Sequence, residues 1–487
     1  MLSIEQVYRH DGWWGEINFS WLERDVRRLQ GRIYRASKKG DKKGANNLMK
    51  LLAKSESAKL LAIYIITQKN KGRTTPGIDG KVYLTSEDRM ELSKEYFNYR
   101  TYKFQPVLRR YIPKAPKSWR AEIHRNKKKN KEKTEKRPLG LMTIKDRIMA
   151  TMISFTLTAK WDALLDPGVM GFRPGRNTQD AIQMIYSELI KGDRVILDAD
   201  INKFFDNIRH DVILNRLDVF HRAIKRCLKA GIIDDGKRHE TTKGIAQGSP
   251  ISPILANIAL HGLQQVLGMD GSAIVYADDF IVMTRTRDAM RRIIPRMARF
   301  LKERGLSLKR EKTRLTDKRQ GLSFLGFTIE QARQKLYVKP QKERNKRFLD
   351  HLRLLIWSNK QLEQGKFIAL LNPIIRGWAM YYRFSDAYQA FARVDDMIWQ
   401  LIWRWCKRRH KGRKGSRWIH ERYYGKAGNR KWTFRVEKTG YTLNKASDVK
   451  RLKYNFKVGD KSPLDPDPKV KEFWERRRYE EIRIAML

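Results

Sequence analysis

The first part of the chain repeats apolar residues at helical spacing. In 21–33 they recur every three or four positions, at Leu22, Val26, Leu29 and Ile33. This spacing predicts an amphipathic helix. A second helix is predicted over 48–66, where LMKLLAKSESAKLLAIYII continues an apolar face. The Gly, Pro and Asn cluster NKGRTTPGIDG at 70–80 then predicts a loop.

Two later segments are short and rich in β-branched residues. RVILDADI at 194–201 and SAIVYADDFIVM at 272–283 both predict buried strands. The second is interrupted by Asp278 and Asp279, which predicts a β-hairpin with the acidic pair at or near its turn. Between these segments, KGIAQGSPISPILANIAL at 243–260 predicts a turn that leads into a helix.

Helical spacing dominates again from residue 341 onward. One face is predicted to carry Phe348, Leu352, Leu355 and Ile356. Farther on, LIWRWCKRRHKGRK at 401–414 changes from an apolar helix into a basic tail. The segment YYGKAGNRKWTF at 423–434 predicts a turn between short strands.

Net charge changes this picture of an ordinary globular protein. The 487 residues include 104 Lys and Arg against 53 Asp and Glu, for a net charge of +51. Such a surface indicates a polyanionic partner, and nucleic acid is the leading candidate. No apolar run reaches eighteen residues and no signal or lipidation pattern is present, so we expect no membrane partner. The expected location is intracellular: cytoplasmic, nucleoid-associated or organellar.

The lysine-rich stretch 109–137 has two interpretations. A charge run of this kind is more often a solvated, disordered loop than not, and the functional interpretation, which is compatible with it, is a mobile arm that contacts phosphate. The two cysteines, Cys227 and Cys406, are far apart and lack CxxC spacing. They exclude a disulfide framework and a cysteine-based structural zinc site, and we expect two buried, inert thiols.

The acidic residues of the predicted strands suggest a metal site. Asp198 and Asp200 are spaced by two and share a strand face, whereas adjacent residues such as Asp278 and Asp279 face opposite sides unless a turn redirects one. We expect Asp278 to be the stronger ligand. Asp200 beside Asp278 would suit Mg²⁺, which prefers oxygen ligands, and two-ion phosphoryl transfer uses such carboxylates. A Tyr-x-Asp-Asp string alone is a weak motif.

Further motifs occur in the order and spacing of the reverse-transcriptase core. They are KRPLGLMTIKDRI (136–148), GFRPGRNTQDAI (171–182), DADINKFFDNI (198–208), AQGSPISPILANI (246–258), YADD (276–279) and LKREKT (308–313). The flanks resemble group II intron-encoded proteins. GRTTPGIDG (72–80) is similar to their amino-terminal extension, LNPIIRGWAMYYR (371–383) and IWRWCKRRH (402–410) to their maturase thumb, and SRWIHERYYGKAGNRKWTF (416–434) to the start of their DNA-binding domain.

This resemblance implies an α+β right-hand polymerase. The implied parts are an amino-terminal helical extension (1–90), fingers and palm with an antiparallel sheet (91–335), a helical thumb or X domain (336–415) and a small basic DNA-binding domain (416–487). Relatives often continue into an HNH nuclease with paired cysteines. We expect this chain to lack that nuclease, so that second-strand cleavage comes from elsewhere.

The resemblance also implies roles for individual residues. Asp200, Asp278 and Asp279 match the carboxylates that bind two Mg²⁺ ions, and Ile201 is assigned to the same metal and nucleotide site. Lys312 matches a lysine suspected of protonating the pyrophosphate leaving group. The remaining nucleotide-binding matches are Phe205, a steric gate against the ribose 2′-OH; Lys114 and Arg137, which hold the triphosphate; and Gln247, which lines the nucleotide pocket.

Nucleic-acid contacts are expected from basic residues of the amino-terminal loop, the fingers and the thumb: Arg73, Arg173, Arg176, Arg404, Lys407, Arg408 and Arg409. The chain departs from the family by a lysine-rich insertion at 115–136, which makes the position of the triphosphate-binding lysine uncertain. Leu141-Met142 and Ala150 also replace common family residues, and we expect altered packing from them.

The implied function is an RNA-directed DNA polymerase of a group II intron. Its partners would be the intron RNA, target DNA, an RNA–DNA hybrid and deoxynucleoside triphosphates. It would assist splicing and make cDNA by target-primed reverse transcription during retrohoming. The alternatives are a splicing-only maturase, which is an RNA-binding protein, and a domesticated or defence-type reverse transcriptase. The intact Asp200, Asp278 and Asp279 favour the enzyme.

Overall fold

The amino-terminal part of the chain is helical, as predicted. A computed structural model describes residues 14–113, 136–410, 412–428, 430–454 and 456–486. The first helices are α1 (Phe19–Lys38), α2 (Lys42–Lys54), α3 (Glu56–Tyr64) and α4 (Ser86–Lys94). The single helix predicted over 48–66 is wrong, because Ser55 separates α2 from α3. The Ser55 hydroxyl accepts a hydrogen bond from the Ala58 amide at 3.1 Å, as serine favours helix N-caps.

The central part alternates strands and helices. Its elements are β1 (Val107–Pro113), β2 (Lys136–Leu141), α5 (Ile144–Asp162), α6 (Thr178–Ile190), β3 (Val195–Asp200), α7 (Phe204–Asn207), α8 (His210–Leu214), α9 (His221–Leu228), β4 (Ile232–Asp234), β5 (Lys237–His239), α10 (Ser252–Leu260) and α11 (Leu263–Leu267). Strands β2, β1, β4 and β5 form one sheet in that order. Antiparallel β1 and β2 frame the lysine-rich insertion, which lies outside the described residues.

The remaining elements complete the chain. They are β6 (Gly271–Tyr276), β7 (Asp279–Thr284), α12 (Arg287–Glu303), β8 (Arg314–Thr316), β9 (Leu322–Phe324), β10 (Phe327–Ala332), β11 (Lys335–Pro340), α13 (Lys342–Ser358), α14 (Gln364–Tyr382), α15 (Tyr388–Arg409), α16 (Ser416–Tyr423), β12 (Tyr424–Ala427), β13 (Arg430–Phe434) and α17 (Pro468–Met486). Strands β12 and β13 pair in antiparallel orientation, which confirms the turn between short strands predicted over 423–434.

An antiparallel sheet in the order β6-β7-β3-β8 carries the acidic residues. Both of its faces are covered. Leu197, Ala199 and Val282 belong to the core shared with the amino-terminal helices, whereas Ile196 and Ile281 belong to the core shared with β9, β10 and the helices α13–α15. Burial on both faces explains why the strands have almost continuous apolar runs. The fold is α+β and right-hand-like, as the resemblance implies.

The carboxyl-terminal segment returns to the first half of the chain. Arg477 of α17 donates to both carboxylate oxygens of Asp180 in α6, at 3.0 and 3.1 Å. Lys38 of α1 forms an ion pair with Asp465 at 2.8 Å. These contacts attach residues 465–477 to the region around α1 and α6. Within the described residues, no helix is long and apolar enough to cross a membrane.

Candidate active site

The acidic pair lies at the tip of the β6–β7 hairpin, as predicted. Strand β6 ends at Tyr276 and β7 begins at Asp279, so Ala277 and Asp278 form the turn. Ala277 has a φ of 61°, a conformation that is uncommon for residues other than glycine. Gly171 packs against this turn so closely that a Cβ at Gly171 would lie 2.6 Å from the Ala277 nitrogen. The hairpin tip is therefore held by a neighbouring loop.

The strand register decides which carboxylates share a face. Asp200 lies directly opposite Asp279 in the β3–β7 pair, and Asp198 shares their face because it is two residues from Asp200. Asp278 is in the turn, where its carbonyl accepts a hydrogen bond from the Ile201 amide at 3.1 Å. The register thus places Asp279 opposite Asp200, and the expectation that Asp278 is the stronger metal ligand stays a prediction.

Two carboxyl groups of the site, those of Asp279 and Asp198, have a raised pKa. The side chain of Asp279 is accessible to solvent. Partial desolvation nevertheless raises the pKa of its carboxyl to about 6, and repulsion from Asp278 and Asp200 adds to this increase. Burial likewise raises the pKa of Asp198 to about 6, against an opposing effect of Arg314. The Lys312 ammonium forms an ion pair with Asp200. This hydrogen bond raises the pKa of Lys312, despite some desolvation.

The donor set fits a hard divalent cation in its chemistry. Asp200, Asp278 and Asp279 offer only carboxylate oxygens, which Mg²⁺ prefers. Among the described residues, however, no group of three or more His, Cys, Asp or Glu side chains is already arranged as a metal site. The Lys312 ammonium binds a carboxylate oxygen of Asp200 that a bound cation would otherwise use.

Two clefts meet at Asp200 and Lys312, which line both. The smaller, of about 540 Å³, is lined by Asp198 and Asp279 together with Arg314, Arg344 and Tyr381.

The larger cleft, of about 930 Å³, collects four of the five predicted nucleotide-binding residues, Arg137, Ile201, Phe205 and Gln247, together with the predicted metal ligand Asp278. These residues come from separate segments between 137 and 278, so the tertiary fold brings them together. Lys114, the other predicted triphosphate ligand, lies outside the described residues.

The loop that follows β5 forms one wall of the larger cleft. The Gly140 amide of β2 donates to the Gln247 carbonyl at 2.7 Å. Gly248 has a φ of 106°, and a Cβ there would come within 2.9 Å of the Leu139 side chain. This position therefore requires glycine, for its backbone angle and for the close approach of β2. Gln247 is thereby held at the cleft.

Arg173 is a structural residue. Its guanidinium is buried and donates to the Asp162 carboxylate at 2.6 Å and to the Asp166 carbonyl at 2.9 Å. The prediction that Arg173 contacts nucleic acid disagrees with this burial. Arg176 is half-buried and donates to the carbonyls of Pro167 and Gly459 at 3.1 and 2.8 Å, and burial lowers its pKa to about 10. Its donors are likewise directed inward.

The other predicted nucleic-acid residues lie at the surface. Arg73 is exposed and donates to the Gln68 carbonyl at 2.8 Å. The last turns of α15 expose four cations, which are Arg404, Lys407, Arg408 and Arg409. Two of them lie over indole rings, Lys407 at 5.8 Å from the Trp403 centroid and Arg409 at 5.2 Å from that of Trp405.

Several cleft residues were not predicted from the sequence. Arg344 of α13 and Tyr381 of α14 line the smaller cleft. Lys309 lines the larger cleft. Arg344 and Tyr381 lie at ordinary helical positions that carry no local signal of a site. Only the packing of α13 and α14 against the palm sheet brings them there.

Comparison with known families agrees with this architecture. The model described as "Reverse transcriptase (RNA-dependent DNA polymerase)" matches residues 126–329. It is preceded by "N-terminal domain of reverse transcriptase" at 14–96 and followed by "Group II intron, maturase-specific domain" at 345–424.

Individual relatives are similar at modest identity. Maturase-like protein 1 of Euglena gracilis is 26% identical over 76% of this chain and 78% of its own length. Group II intron-encoded protein LtrA of Lactococcus lactis is 32% identical over 40% of this chain, but the match spans only 31% of LtrA.

A solved telomerase from Candida albicans matches with 11% identity and a TM-score of 0.37, over 66% of this chain and 61% of the telomerase chain. That similarity is too weak to assign the fold. The assignment comes instead from the three family models, which follow one another along the chain. The chain therefore carries a reverse transcriptase (RNA-dependent DNA polymerase) domain, and the segment that follows it matches the maturase-specific domain of group II introns.

Proposed function

We propose that this protein copies RNA into cDNA by two-metal phosphoryl transfer, and that it binds a group II intron RNA to assist splicing and to support retrohoming. The observation that carries the catalytic part is the larger cleft. It brings Asp200 and Asp278 to the same space as the predicted nucleotide ligands Arg137, Phe205 and Gln247. Asp279 lies opposite Asp200.

Asp200, Asp278 and Asp279, with Ile201 beside them, would hold Mg²⁺. When bound, Mg²⁺ supplies charge stabilisation for phosphoryl transfer and lowers the pKa of an attacking hydroxyl.

The protein side chains provide the remaining functions. Arg137 is exposed on β2 and offers charge-assisted hydrogen bonds to the triphosphate. The ring of Phe205 fills the space that a ribose 2′-OH would need. Lys312 is protonated at neutral pH, as lysine ordinarily is, and its hydrogen bond to Asp200 raises its pKa further; it holds that proton at Nζ for the pyrophosphate leaving group.

The nucleic-acid part rests on charge and exposure. The four exposed cations of α15 lie within residues 345–424, which match the maturase-specific domain. An RNA–DNA hybrid is gripped through phosphates and shape, which such cations suit. The maturase-like and intron-encoded names of the relatives favour an intron RNA as the bound partner. Target DNA and deoxynucleoside triphosphates complete the set of proposed partners.

The test is primer extension on an RNA template with deoxynucleotides and Mg²⁺, comparing the wild type with Asp278→Ala. We expect extension by the wild type and a loss of about 10²- to 10³-fold in Asp278→Ala, since a lost metal ligand removes electrostatic stabilisation of the transition state. Asp288→Ala is the control, because Asp288 is an exposed aspartate at the start of α12.

Equal extension by Asp278→Ala and the wild type would contradict the catalytic assignment. A folded, RNA-bound wild type that extends no primer would favour the splicing-only maturase instead. A protein that extends primers but does not bind intron RNA would favour the domesticated or defence-type reverse transcriptase.

A further inference from the structure

Phe172 has a strained backbone next to the proposed active site. Its φ is 61°, in the left-handed region that bulky side chains rarely enter. Strain of this kind persists only where the surroundings enforce it, and it clusters at functional sites. Phe172 is one of the large apolar residues with an exposed side chain, at 44%. Burial in the core therefore does not explain why a phenylalanine occupies this position.

Both neighbours of Phe172 are fixed. The Gly171 amide donates to the Val275 carbonyl of β6 at 3.3 Å, and its carbonyl accepts from the Asn257 side chain at 3.0 Å. On the other side, Arg173 is tied to Asp162 by a buried ion pair at 2.6 Å. These anchors leave the backbone of Phe172 little freedom, so the direction of its side chain is set by the fold.

The ring of Phe172 meets the ring of Phe205. Their centroids are 6.2 Å apart at an interplanar angle of 79°, an edge-to-face arrangement. Phe204 also contacts the ring of Phe205, at a centroid distance of 5.3 Å and an interplanar angle of 68°. Edge-to-face pairs are attractive and orientation-dependent. The ring of Phe205 thus has two aromatic contacts, one with a ring of its own helix and one with a ring of the 171–173 loop.

We propose that Phe172 is a positioning residue that holds the Phe205 ring and thereby sets the discrimination between deoxyribonucleotides and ribonucleotides. This inference rests on the proposed function, in which Phe205 lines the nucleotide cleft as a steric gate. A gate discriminates only if its ring cannot turn aside when a 2′-OH approaches. Phe204 restricts one direction of movement, and Phe172 restricts another from a loop that is anchored independently.

The test measures the ratio of kcat/KM for a deoxynucleotide to that for the matching ribonucleotide, in primer extension by the full-length protein. Phe172→Gly removes the ring and suits the positive φ. It should reduce the ratio about threefold to tenfold, the range that one aromatic pair supplies. Phe172→Tyr keeps the ring and should restore the ratio. Phe172→Asn, which also tolerates this conformation, is a second ring deletion should the glycine variant fold poorly.

Two further variants distinguish a failure of this inference from a failure of the proposed function. Phe205→Ala should reduce the ratio more than Phe172→Gly does. Tyr388→Leu removes an exposed ring from the thumb and should leave the ratio unchanged. If Phe205→Ala changes the ratio while Phe172→Gly and Phe172→Asn do not, the inference is wrong and the proposed function stands. If the folded wild type incorporates no nucleotide, the proposed function fails, and this inference fails with it.

Discussion

The ion pair between Lys312 and Asp200 links the two clefts of the site. Lys312→Met removes a cation that competes with Mg²⁺ for Asp200. We expect the Mg²⁺ concentration for half-maximal extension to fall by up to about tenfold, since one unit charge near a carboxylate changes affinity by roughly this factor. The rate at saturating Mg²⁺ should fall about 10²-fold or more, because the proposed proton donor is lost.

A Mg²⁺ titration of primer extension measures both effects for Lys312→Met. The control is Lys302→Met, on the exposed side of α12. An unchanged Mg²⁺ requirement would show that Lys312 does not compete for the metal site. An unchanged maximal rate would show that it is not the proton donor.

The pKa of Asp279 predicts a pH dependence of metal binding. This carboxyl has a pKa of about 6, so it is protonated below that pH and is then a poor ligand. We expect the Mg²⁺ requirement to rise as pH falls through 6, by up to about tenfold per pH unit. Primer extension titrated with Mg²⁺ at several pH values measures this. A requirement that stays constant from about pH 7.5 to about pH 5 would contradict the prediction.

The effect of this carboxyl on stability has the opposite direction. The folded pKa of Asp279 lies above the ordinary aspartate value of 3.8, so the folded protein binds this proton more tightly than the unfolded chain does. Ionising this carboxyl lowers the free energy of unfolding. This destabilisation is fully present above pH 6 and disappears as the pH falls toward 4. Acid therefore weakens metal binding while it removes this local destabilisation.

Helix α17 is attached by a buried ion pair that can be tested directly. The side chains of Arg477 and Asp180 are 3% and 1% exposed, and Tyr454 also donates to Asp180 at 2.6 Å. Arg477→Ala leaves the Asp180 carboxylate buried without its cation. We expect the free energy of unfolding to fall by about 3 to 5 kcal/mol.

Denaturant unfolding monitored by circular dichroism measures this change. Arg478→Ala is the matched control, because Arg478 is the next residue of α17 and is exposed. Its effect should stay within about 0.5 kcal/mol. Equal losses in the two variants would show that the ion pair does not hold the helix in place.

The charge of the whole molecule predicts strongly salt-dependent RNA binding. A net charge of +51 favours phosphate contacts that release counterions. Replacing Arg404 and Arg408 with Gln should weaken binding of single-stranded RNA. The slope of log Kd against log salt concentration should decrease by about 1.4 if both residues contact phosphate.

Filter binding across a salt series measures that slope. The control replaces Arg299 and Lys302 with Gln, which removes two exposed cations from α12 on the palm. An equal change of slope in both double variants would show that RNA binding follows net charge and not the thumb surface.

Local patterns predicted much of the element content correctly. The helix around Leu22 to Ile33, the β6–β7 hairpin and the thumb helices all follow from spacing that the chain itself carries. The break at Ser55 was missed because the apolar periodicity continues across it. Arg173 was misassigned because an arginine in a basic motif has the same sequence pattern whether it is buried or exposed.

The sequence alone predicted a nucleic-acid partner, the resemblance to reverse transcriptases and three candidate metal-binding carboxylates, because charge and ordered motifs are properties of the chain. Only the tertiary structure decided that Asp279 faces Asp200, that Arg173 is buried, and that Phe172 meets Phe205. These facts depend on strand register and on contacts between distant segments. A register shift of one residue would turn every side chain to the other face of the sheet, and no local pattern specifies which loop packs against which ring.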